Sequence, residues 1–213
     1  MQEAIKIRSK NHPDVVLHTI PGHFVTPNSH VNYFLDMTTL KSRLSEASAA
    51  ARALSEQISA TTIVDTIVCI EGCEIIGALL AEDLTKAGIY SMNSHKTIYI
   101  VTPEYVNSGQ LVIRENMLPM IKGKNVLLLL ASATTGQTLI KASRALTYYG
   151  AKISGISAVF SAANSVMGIP INALFTIADI PDYRTYEPEG CALCKENKAI
   201  DAFANGFGYS KIN

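Results

Sequence analysis

Charge is scarce in this chain. Lysine and arginine total 18, aspartate and glutamate also total 18, and charged residues make up only 17% of the 213 residues. The formal net charge of zero excludes broad electrostatic binding to nucleic acid or to an anionic membrane, although a local basic patch is compatible with it. Long apolar runs are absent too. Hydrophobic residues reach 48% and mean hydropathy is +0.19, yet no segment approaches the ~20 apolar residues that a membrane-spanning helix needs. The first residues lack the charged start and apolar core of a secretion signal, so a cytoplasmic location is expected. No internal repeat stands out, and no Ser/His/Asp set has a spacing that supports hydrolase chemistry.

Cysteine is limited to four residues in two pairs, Cys69/Cys73 and Cys191/Cys194. With no secretion signal, a disulfide framework is disfavoured. Zinc wants four ligands, and two Cys pairs can in principle converge on one ion. The first pair, however, follows a strand and reads as part of a buried turn, so ordinary reduced thiols are expected. The histidines, His12, His18, His23, His30 and His95, are scattered, and no metal site is expected from their spacing.

The residues that are present set up a strand–helix rhythm. Up to residue 37, Pro13, Pro21, Gly22 and Pro27 break short apolar pieces into a few strands or extended loops. Leu40, Leu44, Ala47, Ala51, Leu54 and Ile58 then recur at alternating spacings of three and four, which predicts one helix over residues 40–58. Lys41, Arg43, Glu46, Arg52 and Glu56 fall on its polar face and read as a solvated surface. A β-branched strand at 62–70 leads through Glu71-Gly72-Cys73-Glu74 into a second helix ending near Gly88. Further strands are expected at 97–101, 126–129, 153–160 and 172–177, with a helix at 139–149 closed by Gly150. Alternation of this kind predicts an α/β fold: a parallel five-stranded sheet flanked by helices. One domain of 213 residues is expected, with a core at about 38–178 and a small hood from 1–37 and from an irregular tail, 179–213. The helix-free stretch 102–123, with residues 110–114 as a hairpin arm, has the length of a functional or mobile loop.

The chemistry concentrates at residues 126–138. An unbroken apolar strand there gives way to Thr134, Thr135, Gly136, Gln137 and Thr138 at the start of the next helix. Strands buried on both faces read this way, and ligands of open α/β sheets bind outside the carboxyl ends of such strands. Hydroxyls beside the N–H groups of a helix start suit a phosphate monoester. The loop is not a P-loop, since no Gly-Lys-Ser/Thr follows at the required spacing. By itself it reads equally as a hydroxyl-capped helix start.

In order and spacing the chain resembles the type I phosphoribosyltransferases, and among them the orotate phosphoribosyltransferases. The apolar strand 126–129 and the loop Thr134–Thr138 match the family's diagnostic segment. Glu71, Gly72 and Cys73 correspond to its pyrophosphate turn, and residues 30–36 before the helix look like its N-terminal entry. Cys191 to Lys195 is similar to a Cys-Pro-Leu-Cys-type ending of some orotate enzymes. The resemblance implies transfer between a nucleobase and phosphoribosyl diphosphate (PRPP) in pyrimidine nucleotide metabolism. It also implies Mg2+ if the protein is catalytically active, and a homodimer. Tyr33 and Phe34 would stack on a base in the hood, unless they pack into the core.

Two departures bear on activity. The family's acidic pair, which holds the ribose hydroxyls, falls on Leu130 and Ala131. Loss of one preorganised electrostatic group typically costs ~2.7–4 kcal/mol, or 10²–10³ in rate. The span corresponding to the mobile basic loop, residues 102–116, holds Arg114 but no lysine or histidine, and adds Glu104 and Glu115. Three readings follow. The first is a protein that binds ribose 5-phosphate, a nucleotide or PRPP with weak or lost transferase activity. The second is an active transferase in which Glu71, Glu74 or Asp179 replaces the acids. The third is a non-catalytic regulatory or oligomerisation partner. Cys73, at a helix start, reads either as a reactive thiol or as a buried small residue.

Overall fold

The computed structural model describes residues 3–86, 88, 91–94, 97–106 and 110–212. The chain opens with strands β1 (Ile5–Arg8), β2 (Val16–Val25) and β3 (His30–Asp36), followed by helices α1 (Thr38–Ser42) and α2 (Leu44–Gln57). Alternation then begins with β4 (Thr66–Ile70), α3 (Glu74–Lys86) and β5 (Tyr99–Val101). A hairpin of β6 (Glu104–Val106) and β7 (Gln110–Val112) precedes β8 (Asn125–Ala133), α4 (Gln137–Tyr148) and β9 (Lys152–Ser161). After β10 (Ser165–Val166) and β11 (Ile169–Thr176), the tail contributes β12 (Thr185–Tyr186), α5 (Ala192–Lys195), β13 (Ala202–Asn205) and β14 (Gly208–Lys211).

The larger α/β layer is a sheet in the order β10-β11-β9-β8-β4-β5. Strands β11, β9, β8, β4 and β5 run parallel, as the alternation predicts. The sequence did not announce the sixth strand, β10, which pairs antiparallel with β11 across a tight turn. Met167 and Gly168 both have positive φ there (51° and 78°), the geometry of a two-residue hairpin turn.

At the centre, β8 lies between β4 and β9 and is buried on both faces. Leu127, Leu129 and Ala131 join the core on the side of α2 and α3. Val126, Leu128 and Leu130 join the core beneath α4. This two-sided burial is why the strand needs no polar alternation. Because Ile70 pairs with Leu130, the carboxyl ends of β4 and β8 lie side by side.

The helix predicted over 40–58 is two helices. Arg43 takes an extended conformation (φ −99°, ψ 119°) and separates α1 from α2. Leu44, expected on the buried face, is 68% exposed, while Leu40, Ala47, Ala51 and Leu54 are buried. Spacing alone cannot register such a break, since the apolar period continues through it. Its consequence is that α1, with Lys41, is aimed independently of α2.

The tail is more ordered than expected. It completes a second sheet in the order β12-β3-β2-β13-β14, with β1 also on β2. Strand β13 is only four residues long and is fixed by pairing with β2, a contact far apart in sequence. Phe24, Phe34 and Tyr209 pack their rings together in the hood, with Phe24–Phe34 centroids 5.9 Å and Phe34–Tyr209 centroids 4.9 Å apart. Between Pro21 and Phe24 the β2–β3 register shifts, a bulge that re-aims the side chains at its centre. Gly22 is required there: a Cβ would lie 2.7 Å from Asp201 Oδ2 and 2.8 Å from the Phe24 ring.

Phe24 is fully buried and joins both the hood rings and the shared core. Phe24→Ala should cost ~3–5 kcal/mol of unfolding free energy, measured by urea denaturation followed by circular dichroism. A change under ~1 kcal/mol would mean that the hood does not unfold with the rest of the chain.

Candidate functional site: a cleft with an apolar floor

A cleft opens where the carboxyl ends of β4 and β8 meet the hood. Its walls include Tyr33, Lys41 and Glu71 on one side and Thr134 to Thr138 on the other. The loop after β8 turns through Gly136, which takes a left-handed conformation (φ 73°) at the cap of α4. A Cβ at this position would also approach Val166 Cγ2 to 3.2 Å, so glycine suits both the turn and the packing. The cap residue Gly136 has no side chain to offer this helix start, Thr135 Oγ1 accepts from the Gln137 N–H at a long 3.5 Å, and Thr134, Thr135 and Thr138 are half-buried beside it. First-turn N–H groups and threonine hydroxyls therefore converge on one edge of the cleft, an arrangement suited to an anion.

Leu130 and Ala131 form the floor and are 0% and 2% exposed. Neither can accept a hydrogen bond from a sugar hydroxyl. Of the three carboxylates considered as substitutes, only Glu71 lines the cleft. Asp179 is engaged elsewhere: Thr176 donates its N–H (2.9 Å) and its hydroxyl (3.1 Å) to Asp179 Oδ2, and Lys10 pairs with the same carboxylate at 3.1 Å. Glu74 begins α3 and accepts from the Thr102 hydroxyl at 3.2 Å.

Glu71 holds an unusual position. Its backbone has φ 61°, rare for a residue with a side chain, and Gly72 follows at φ 78°. The side chain turns toward β8, where Ser132 N–H donates to Glu71 Oε2 at 3.3 Å. Burial pushes its carboxyl above the usual range, opposed by the Ser132 bond and by the Lys41 ammonium. Lys41 donates to the Glu71 carbonyl at 3.0 Å and to the Gly206 carbonyl, tying the β4 turn to the β13–β14 turn. Among the described residues lining the cleft, Lys41 and Glu71 are the charged ones. The periodicity placed Lys41 on a solvated face; the break at Arg43 brings it to the site instead.

The remaining predicted residues divide. Tyr33 and Phe34 both line the cleft; Tyr33 is half-buried, while the buried Phe34 ring also packs against Phe24 and Tyr209. Cys73 is fully buried and its thiol is pushed up to about 12, chiefly by burial; the reactive-thiol reading is set aside. The β6–β7 hairpin includes the predicted arm at 110–112, and Arg114 is bound to Glu104 through its Nε (3.0 Å) and Nη2. That pairing sets the loop's cation against a carboxylate of the same loop. Residues 107–109 and His95 lie outside the described residues. Asn205, Gly206 and Phe207, which sequence reasoning left in an irregular tail, also line the cleft.

Together, the parallel sheet, the hood and the loop at the end of the central strand define the type I phosphoribosyltransferase fold. Solved structures agree on this point. The chain is similar to orotate phosphoribosyltransferase from Aeropyrum pernix at 20% identity and a TM-score of 0.53, covering 75% of this chain and 88% of that one. The orotate phosphoribosyltransferase of Mycobacterium tuberculosis H37Rv, solved with Fe(III) dicitrate, matches at 16% identity and TM-score 0.53, over 78% and 93% of the two chains. An adenine phosphoribosyltransferase from Thermoanaerobacter pseudethanolicus matches at 15% identity and TM-score 0.51, over 68% and 88%. No family model matches the sequence.

The raised pKa of Glu71 has a sign that can be measured. Its folded-state pKa lies above the unfolded value, so the folded state holds this proton more tightly. Stability from this group is therefore greatest at low pH and is lost as pH rises through the folded-state pKa. Glu71→Gln should raise the melting temperature relative to wild type at pH 7 and lose most of that advantage at pH 4. Equal differences at the two pH values would contradict the burial argument.

Proposed function

We propose that the protein binds the 5′-phosphate of a ribose-5-phosphate or nucleotide moiety in this cleft, with transferase turnover weak or absent. The observation that carries the reading is the pairing of a glycine-capped α4 start, flanked by Thr134, Thr135 and Thr138 and bearing one long Thr135–Gln137 bond, with a floor of Leu130 and Ala131. The loop offers neutral donors to a phosphate; the floor offers nothing to the ribose hydroxyls. In this reading Thr134, Thr135, Gly136, Gln137 and Thr138 hold the phosphate, Glu71, Gly72 and Cys73 form the second turn, and Tyr33 faces the base. The fold shared with orotate and adenine phosphoribosyltransferases supports a ligand of this class.

Magnesium fits the described cleft poorly. Its lining supplies one carboxylate, Glu71, and that residue already has the Lys41 ammonium on its own carbonyl. A hard cation wants several oxygen ligands, and the floor supplies none.

One observation favours the second reading, an active enzyme. The Glu71 carboxylate accepts from the backbone of Ser132, next to the two positions where the family's acids are missing. From there it can accept a hydrogen bond from a ribose hydroxyl, or stand beside positive charge developing at the anomeric carbon.

Calorimetric titration with inorganic phosphate, nucleoside monophosphates and PRPP tests the binding reading, and no heat with any of them would overturn it. Thr135→Ala should weaken phosphate binding by roughly threefold to tenfold, the loss of one neutral hydrogen bond. Glu71→Gln separates the two readings. If the protein only binds, removing this charge strengthens phosphate affinity. If it turns over, pyrophosphate release from PRPP and a panel of bases is measurable in wild type and is lost in the variant.

A further inference from the structure

Four side chains that the sequence left unconnected meet in the hood. His23 comes from the β2 bulge, His30 from the start of β3, and Cys191 and Cys194 flank the beginning of α5. One ligand atom from each lies within 4.8 Å of all the others. His23 Nε2 is 3.0 Å from His30 Nδ1 and 3.6 Å from each of Cys191 Sγ and Cys194 Sγ, and Cys194 Sγ is 3.4 Å from His30 Nδ1. We propose that these four residues form a structural zinc site of the Cys2His2 type.

The distances suit the ion. Zn–N bonds of ~2.0–2.1 Å and Zn–S bonds of ~2.3 Å at tetrahedral angles separate ligand atoms by ~3.3 Å (N···N), ~3.6 Å (N···S) and ~3.8 Å (S···S). Two imidazoles and two thiolates select zinc over magnesium or calcium, which want oxygen. The proton positions agree as well. Lys198 carbonyl lies 2.9 Å from His23 Nδ1 and can only accept, so Nδ1 carries the proton and Nε2 presents its lone pair to the cluster. This is the outer bond that commonly orients a metal-bound histidine. One lone pair cannot accept from His30 and two thiols together; a central cation satisfies all four groups.

Local geometry builds the site. The bulge between Pro21 and Phe24 turns His23 inward, and its N–H is held by Asp201 Oδ2 at 2.8 Å. Cys191 is the cap residue of a four-residue helix, so its spacing to Cys194 brings both sulfurs to one side of that turn. Cys191 and His23 are buried, and Cys194 is exposed at the rim. A helix of one turn has no stability of its own. Metal bonds to α5 would fasten it to the β2–β3 hairpin across more than 160 residues of sequence. The other conceivable arrangement, Cys69 and Cys73 joining the second pair, does not occur. Those two thiols sit in the α/β core beside α3, within the same packed cluster as Ile76 and Leu80.

Full-length protein purified without chelators should carry one zinc per chain by elemental analysis. Cobalt(II) added to metal-free, reduced protein should show the intense visible bands of a tetrahedral site and thiolate-to-cobalt charge transfer in the near ultraviolet. Cys194→Ser and His30→Ala should lose stoichiometric metal, whereas Cys69→Ala should keep it. Zinc should also protect Cys191 and Cys194 from alkylation. Reduced wild-type protein that gives no tetrahedral cobalt spectrum, with both thiols alkylated at the same rate with and without zinc, would overturn the proposal even if a variant failed to fold. Isolation with a Cys191–Cys194 disulfide that takes up no metal after reduction would do the same.

Discussion

The adjacency of two parallel strands governs most of this molecule's chemistry. Strand β4 pairs with β8 in register, so the turn that follows one must lie beside the loop that follows the other. That constraint brings a threonine-bearing loop and a carboxylate-bearing turn to the same edge. It also fixes what lies between them. The last core residues of β8 become the floor of the cleft, and here they are apolar. A strand end buried from both sides tolerates leucine and alanine without any structural cost. Apolar residues there therefore leave the scaffold intact while determining what the floor can bind.

The hood supplies the second constraint. Both ends of the chain form it, and its strands depend on one another: β13 has only four residues and finds its partner in β2. The turn after β13 then reaches down to the cleft, where Lys41 joins the Gly206 and Glu71 carbonyls. A single ammonium thus connects the helix entry, the β4 turn and the tail. Because Glu71 is also buried, its charge is held at an energetic disadvantage beside a loop suited to anions. The cleft thus presents one positive and one negative side chain, with backbone and hydroxyl dipoles around them.

The metal-type cluster extends the same logic to the far side of the hood. Two histidines come from one hairpin and two cysteines from the tail, so the group forms only when the sheet does. A site of this kind fixes the relative position of segments that a small apolar core alone holds weakly. It also places the tail that carries Gly206 and Phe207 under the control of ligands outside the cleft.

The unbroken apolar run of β8, the four other parallel strands of its sheet and the loop at its end were legible in the sequence, because burial on both faces and a glycine-hinged turn leave local patterns. The apolar character of Leu130 and Ala131 was equally legible, since it concerns residue identity alone. Other features were decided only by tertiary structure. The break at Arg43 is invisible to a helical period that runs through it, so Lys41 looked like a surface charge. Strands β13 and β14 are too short to signal themselves; β13 is placed by pairing with the distant β2, and β14 by pairing with β13. His23 and Cys191 lie 168 positions apart, and no spacing rule links residues that a bulge and a sheet bring together. Local sequence determines local conformation and burial; which distant side chains share a site is set by the pairing of strands, and that is where the cleft's charges and the hood's four ligands were decided.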